Sequence, residues 1–187
     1  MAIFLFSSLP SAKLLSLSKK DGDSVVLKLG FGIKVNDGSS LNREWININD
    51  ASSPIQISEV GINTVYGSGG YSFKSTGFLT VKEDVTAFEI VHVLYDVFGE
   101  HFKTLSNREV IDINTSLDLS KKGSWYASEN NVSDFLICVS YVANVRKKDG
   151  SIWRYNYNGI KEQLNTLKIA FEESYQPQKD KGNVKGN

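Results

Sequence analysis

The sequence predicts a mostly β protein, a two-sheet antiparallel sandwich followed by one C-terminal α-helix. Short segments rich in Val, Ile, Thr, Tyr and Phe recur along the chain, and clusters of Gly, Asn, Asp and Ser separate them. Several segments alternate apolar and polar residues with period two, and the period becomes helical only near the C-terminus. With 187 residues, 41% of them hydrophobic and 22% charged, the chain suits one globular domain.

Residues 1–23 form an N-terminal segment outside the predicted sandwich. The apolar run Ile3–Phe6 is followed by small residues at Ser11 and Ala12, as at the end of a signal peptide, but no positive charge precedes it. The segment fits either the remnant of a signal peptide or a flexible apolar N-terminus. No stretch approaches the roughly 20 apolar residues of a membrane span, so we expect no transmembrane segment.

Residues 24–157 carry the predicted β-sandwich, whose first strand alternates from Val25 to Val35. Further strands are predicted at 44–48, 55–57, 60–66, 71–81, 85–98, 102–105, 110–113, 135–145 and 152–155. The segment Phe135–Val145 is apolar on both faces, which is typical of a central strand, and Asp149-Gly150 predicts a hairpin turn after it. The regular spacing favours an immunoglobulin-like topology, with a jelly roll or small barrel as the alternative.

Residues 158–176 are predicted to form an amphipathic helix packed on the sandwich, at one end or edge. Five large residues recur every three or four positions: Ile160, Leu164, Leu167, Phe171 and Tyr175. Asn158 is the predicted N-cap, and Pro177 prevents the helix from continuing. Residues 177–187 are predicted to be a disordered tail.

The segment His92–Gly99 resembles the signature of the FxLYD family of bacterial and archaeal immunoglobulin-like domains. Leu94, Tyr95 and Asp96 match the last three positions of the motif, whereas His92 stands where the family carries Phe. The resemblance covers residues 55–156. It implies an immunoglobulin-like sandwich in an extracytoplasmic protein, and it implies no catalytic residue.

His92 is predicted to be a neutral, hydrogen-bonded core histidine that binds no metal. It shares a strand face with Phe88, Ile90 and Leu94, whereas the opposite face carries Glu89, which is costly to bury unpaired. The sequence therefore predicts that His92→Phe keeps or raises the melting temperature.

Asp96 is predicted to begin a turn that ends this strand, with a polar site at Tyr95 and Asp96 as the alternative. A metal site shared by His92 and Asp96 is disfavoured, because four residues along a strand span roughly 13 Å.

The chemistry-bearing residues argue against an enzyme. Of the two histidines, neither accompanies a G-x-S-x-G nucleophile motif, and no phosphate-binding loop is present. The single cysteine, Cys138, cannot form a disulfide or a zinc site within one chain. The formal net charge of zero disfavours nucleic acid as a partner. We therefore expect no catalytic residue, no metal site and no cofactor.

Aromatic side chains are the candidate ligand-binding residues. Polar residues flank Trp45, Trp125 and Trp153, which together with Tyr155 could form a platform on which sugars stack, although core packing is the alternative. We expect a non-enzymatic binding or structural module of the bacterial cell envelope or exterior, with a protein or glycan partner. A carbohydrate-binding module using exposed tryptophans is the alternative function. A secreted or periplasmic location is expected, and a cytoplasmic one stays open.

Overall fold

A computed structural model of the chain describes residues 24–29, 33–34, 40–41, 43–113, 117–118, 123–128, 132 and 135–177. Its strands are β1 (Ser24–Leu29), β2 (Ile33–Lys34), β3 (Ser40–Leu41), β4 (Glu44–Asn49), β5 (Ile55–Gly67), β6 (Gly70–Val81), β7 (Val85–Asp96), β8 (His101–Ile113), β9 (Leu117–Asp118), β10 (Ser124–Ala127), β11 (Phe135–Lys147) and β12 (Ile152–Arg154). Helix α1 (Tyr157–Thr166) and a 3-10 turn (Glu173–Tyr175) follow. The predicted N-terminal segment 1–23 and tail residues 178–187 lie outside the described residues.

The strands form two main sheets, which confirms the predicted mostly β, two-sheet fold. The large sheet has the order β1-β4-β11-β7-β8, with β12 also paired to β11, and the small sheet has the order β10-β6-β5, with β9 paired to β6. Among the described strands, pairing is antiparallel except between β4 and β11, which run parallel. A parallel pair needs a crossover, and the chain here passes through the small sheet between these two strands. The immunoglobulin-like topology stays a prediction.

Two strands are longer than the sequence predicted. The short strands expected at 102–105 and 110–113 are parts of β8, in which Ser106 pairs with Val91 and Asn107 with Ile90. Polar side chains there do not end the strand, because β8 is the last strand in the described order of its sheet. The segments 55–57 and 60–66 are likewise one strand, β5, which has a bulge between Ile57 and Glu59.

The core between the sheets consists of two clusters of buried side chains. The first contains Ile55, Ile57, Val60, Leu79, Val81, Val85, Phe88, Ile90, Ile111, Val142 and Val145. The second contains Trp45, Ile62, Phe73, Leu94, Leu105, Ala127, Phe135 and Cys138. The predicted Phe88 face of β7 therefore does face the core.

Amide side chains of β4 attach the large sheet to the edge of the small one. Asn47 donates to the Val60 carbonyl and accepts from the Val60 amide, and Asn49 makes the same pair of hydrogen bonds with Ile57. Each asparagine is buried, and its amide group forms the donor and acceptor hydrogen bonds that the backbone of an adjacent strand would form. Arg43 adds a hydrogen bond to Thr64 and two to the carbonyls of Val132 and Phe135.

A third layer covers part of the outer face of the large sheet. It consists of α1 and the following residues 167–177, which we call the strap. Side chains from the sheet, α1 and the strap form one apolar cluster that includes Ile46, Ile48, Val91, Val93, Tyr95, Val139, Tyr141, Ile160, Leu164 and Phe171. The helix therefore packs on a face of the sandwich, and the predicted position at an end or edge is wrong.

Helix α1 is also shorter than predicted, and its caps differ. The N-cap is Asn156, whose side chain accepts from the Asn158 amide, so the prediction of Asn158 is wrong by two residues. At the other end the amides of Lys168 and Ile169 donate to the carbonyls of Asn165 and Leu164, which is a Schellman motif. Lys168 has the left-handed φ of 59° that this motif requires, and the helix stops there.

Candidate functional site

Trp45 lies between the sheets and presents no ring face to solvent. It is 7% exposed, and its indole packs against the backbone of Gly61. A Cβ added at Gly61 would lie 2.1 Å from Cδ2 of that ring, so only glycine permits this approach. In this structure the ring serves core packing, the alternative to stacking on a sugar.

Trp125 and Trp153 are half-buried and lie on different sheets. Trp125, on β10, packs against the second core cluster and meets His92 edge-on with ring centroids 5.9 Å apart. Trp153, on β12, packs against the first core cluster, and its Nε1 donates to Ser52 Oγ at 3.1 Å. The three tryptophans thus do not form one shared platform.

His92 is completely buried, as predicted, and two serine hydroxyls contact its ring. Nδ1 lies 2.8 Å from Ser140 Oγ on β11, and Nε2 lies 3.1 Å from Ser75 Oγ on β6. Burial lowers the pKa of His92 to about 3, so the ring is neutral at physiological pH. The ring therefore links the two sheets through hydrogen bonds.

Asp96 ends β7 in a turn. Its Oδ1 accepts from the amides of Phe98 and Glu100 at 2.9 Å each, and Gly99 has a φ of 79°. The preceding Tyr95 is buried under the strap, and its hydroxyl donates to the Ala170 carbonyl at 2.9 Å. Both side chains of the motif therefore serve structure, which is the turn interpretation of the sequence.

A cavity of about 220 Å³ opens on the outer face of the large sheet, beside the area that α1 and the strap cover. Its walls come from β7, β8, β11, β12, α1 and the strap. They comprise Glu89, Arg108, Tyr141, Ala143, Asn144, Arg154, Tyr155, Tyr157, Ile160, Gln176 and Pro177. Tyr155 is thus the one sequence-predicted ligand residue that lines this cavity, and Pro177, expected to begin a disordered tail, is part of its wall.

Glu89 is the polar centre of the cavity. It is 6% exposed, and its two carboxylate oxygens accept from different neighbours, Arg108 Nε at 2.9 Å and Asn144 Nδ2 at 2.5 Å. The register places Asn144 and Arg108 on either side of Glu89, on β11 and β8. A buried carboxylate needs such partners, and here they also fix the positions of an arginine and an amide at the cavity.

Three tyrosines surround this centre. Tyr141 is 2% exposed and, within the described part of the chain, its hydroxyl makes no hydrogen bond. Tyr157 donates to the Phe171 carbonyl at 3.3 Å, and the Tyr155 hydroxyl accepts from Gln163 at the same distance. Burial raises the pKa of Tyr141 well above its usual range, and the charge of Glu89 adds to this effect. Tyr141 therefore offers a neutral hydroxyl donor.

A second opening, of about 420 Å³, lies next to the first on the same face. The two share Glu89, Arg108, Asn144 and Arg154, so they form one continuous groove, which we call the open end of the face. The second opening adds two exposed apolar side chains, Val110 and Ile152, and two charged ones, Glu109 and Arg146.

Sequence reasoning missed most of this groove. Arg108 and Asn144, which bind Glu89, lie 19 and 55 positions after it in the sequence. The strand register that brings them together cannot be read from the sequence. One signal was available, because Glu89 interrupts the apolar run of β7 and so required a partner.

Among the described residues, no group of three or more His, Cys, Asp or Glu side chains is placed to hold a metal ion. The described helices are all too short or too polar to cross a membrane.

Comparisons with models of protein families, with curated proteins and with solved structures found no match to this chain.

Proposed function

We propose that the protein is a non-enzymatic β-sandwich binding module that holds a small polar ligand at the open end of the large sheet's outer face. The observation that carries this proposal is the convergence of Glu89, Arg108, Asn144 and Arg154 on both parts of one groove. Ligand sites combine a concave surface with a few fixed polar groups, and this groove has both. The resemblance to FxLYD domains supports a place in the cell envelope or outside the cell.

The carbohydrate-binding alternative is supported by the groove and not by the tryptophans. Tyr155 and Tyr157 bring aromatic surface to a cavity that also contains a carboxylate, an amide and two guanidinium groups. Aromatic faces with nearby hydrogen-bonding groups suit sugar rings, which are apolar on their faces and polar at their edges.

A thermal-shift screen tests the proposed function. The panel contains neutral and acidic saccharides, amino acids, dicarboxylates and short peptides, each added to the wild type and to Arg154→Ala. A ligand of the folded state raises the melting temperature by mass action, so at least one compound should stabilise the wild type and stabilise Arg154→Ala less. Phe78→Ala, which changes an exposed side chain on the small sheet, is the matched control and should respond like the wild type. The proposal fails if no compound stabilises the wild type, or if all three proteins respond equally.

A further inference from the structure

We propose that the ligand of the open end is a hydroxylated carboxylate of the uronic acid type, with its carboxylate on Arg154 and its hydroxyl groups on Glu89 and Tyr141. This inference rests on the proposed function, because it names the ligand class of the same groove.

The charges of the groove favour an anion. Three arginines line the second opening, Arg108, Arg146 and Arg154, against two glutamates, Glu89 and Glu109. The local balance is therefore one positive charge in a chain whose net charge is zero. Such a surplus attracts anions and repels ammonium ligands.

Arg154 is the guanidinium that lines both parts of the groove without an ion pair to another described residue. The carboxylate of Glu89 already binds Arg108, whereas within the described residues Arg154 makes no ion pair or hydrogen bond. It lies opposite Asn144 in the pairing of β12 with β11 and lines both parts of the groove. The planar fork of a guanidinium matches a carboxylate in two parallel hydrogen bonds.

The other polar groups favour a ligand that also carries hydroxyls. An ionised carboxylate offers about four lone-pair sites, and hydrogen bonds from Arg108 and Asn144 take two of those on Glu89. The remaining sites can accept from ligand hydroxyls, which a simple dicarboxylate lacks. The Tyr141 hydroxyl can donate to a ligand oxygen, and Tyr155 supplies an aromatic surface at the cavity wall.

Other ligand classes fit this groove less well. An apolar ligand would cover Glu89 and Arg154 without replacing their water, which is costly. A neutral sugar would satisfy Glu89 and Tyr141 but would leave the charge of Arg154 without a partner.

The test is calorimetric titration of the full chain with galacturonic acid, with its linear trimer and with the neutral galactose trimer. We expect binding of the acids at least about tenfold tighter than binding of the neutral trimer, and weaker binding at higher salt. Tighter binding of the acidic trimer than of the monomer indicates a polysaccharide segment as the source of the ligand, and equal affinities indicate a free sugar acid.

Variants locate the interaction. Arg154→Gln should weaken acid binding about 30-fold, since charge-assisted hydrogen bonds are lost, and Arg154→Lys should restore part of the loss. Lys74→Gln, which removes one charge from an exposed position on the small sheet, should change nothing. Thermal unfolding of each variant verifies that it is folded.

Three results would overturn the inference. They are equal binding of neutral and acidic trimers, unchanged acid binding in Arg154→Gln, and binding of a triglutamate peptide as tight as that of the acidic trimer. Neutral trimer binding that is as tight as that of the acidic trimer and is lost in Tyr141→Phe would overturn the acidic class while supporting the proposed function, so the two failures are distinguishable.

Discussion

The outer face of the large sheet has two ends that differ in construction although strands β7 and β11 run through both. At the covered end, Val93 and Tyr95 of β7 lie under α1 and the strap. At the open end, the same face of β7 presents Glu89, and β11 presents Asn144. At the covered end, apolar side chains of the sheet pack against apolar side chains of α1 and the strap. At the open end, the polar side chains form hydrogen bonds with one another. The covered end therefore stabilises the fold, and the open end is the place where we propose that a ligand binds.

The largest expected difference between the ends comes from core truncation. Leu164→Ala removes a completely buried side chain from the covered end and should cost about 3 kcal/mol of unfolding free energy. Val110→Ala at the open end removes a side chain that is 88% exposed and should cost less than about 0.5 kcal/mol. Urea denaturation of both variants measures this. Similar losses from the two changes would contradict the division of the face.

Lowering the pH should destabilise the fold through His92, which lies on the inner face of the same sheet. The pKa of His92 is about 3 when folded, against about 6.5 when unfolded, so below pH 6.5 the unfolded chain takes up a proton that the folded chain does not. Stability should therefore fall as the pH falls from about 6.5 towards 3, by up to about 1.4 kcal/mol per pH unit. Denaturation at several pH values, compared between the wild type and His92→Gln, isolates this residue. Equal slopes between pH 6 and 5 would show that His92 is not buried and neutral.

The same contacts change the expected effect of His92→Phe. The sequence alone predicted an equal or higher melting temperature, but the structure places the Ser75 and Ser140 hydroxyls on the ring. Phenylalanine cannot bond to either. Ser140 Oγ keeps its contact with Cys138 Sγ at 3.4 Å, but the buried Ser75 hydroxyl loses its partner, and an unsatisfied buried hydroxyl costs about 1–3 kcal/mol. We now expect a lower melting temperature. Thermal unfolding decides between the two expectations.

Two buried tyrosines of the covering cluster give a smaller contrast, because Tyr95 lies within the covered end and Tyr141 also lines the groove of the open end. Tyr95→Phe removes the hydrogen bond to the Ala170 carbonyl at the covered end and should cost about 1 kcal/mol. Tyr141→Phe removes a hydroxyl that makes no hydrogen bond within the described residues and should leave stability within about 0.5 kcal/mol. Chemical denaturation of the pair verifies the order, and a larger loss in Tyr141→Phe would contradict it.

The smallest expected effect is a gain at the end of α1. Lys168 adopts a left-handed conformation, which costs a residue with a Cβ about 1 kcal/mol. Lys168→Gly should therefore raise the unfolding free energy by about 0.5 kcal/mol after the larger entropy loss of glycine is counted. Asn165→Gly, one turn earlier and inside the helix, should instead lower it. If both changes destabilise, the helix does not end as described.

The fold was largely readable from the sequence because strands and turns leave local signals. Strand-forming residues between turn signals located β4, β6 and β7 within a few residues, the alternation at 25–35 falls on β1 and β2, and the apolar run of β11 indicated its central position. The C-terminal end of α1 could not be predicted from the sequence, because Lys168 occupies the left-handed position after the helix where glycine is usual. Leu167 and Phe171 keep the helical spacing but belong to the strap, so their burial comes from tertiary packing.

The candidate site was much less readable. Tyr155 was identified for its aromatic ring, whereas Glu89, Asn144 and Arg154 come together only through the register of three strands. Trp45 was a candidate ligand-binding residue because it is aromatic and has polar neighbours. In the structure one of those neighbours, Asn47, faces the interior on the same side of β4 and forms hydrogen bonds with β5. Polar neighbours in a sequence do not imply exposure when those neighbours are themselves buried partners.

The division of the face is tested most directly by titrating the galacturonic acid trimer into Tyr95→Phe and Tyr141→Phe side by side. The account predicts that Tyr95→Phe binds within about twofold of the wild type despite its lower stability. Tyr141→Phe should bind about tenfold more weakly despite its unchanged stability, because one hydrogen bond to the ligand is lost. Weaker binding in Tyr95→Phe with wild-type binding in Tyr141→Phe, or equal binding by both variants, would contradict the account.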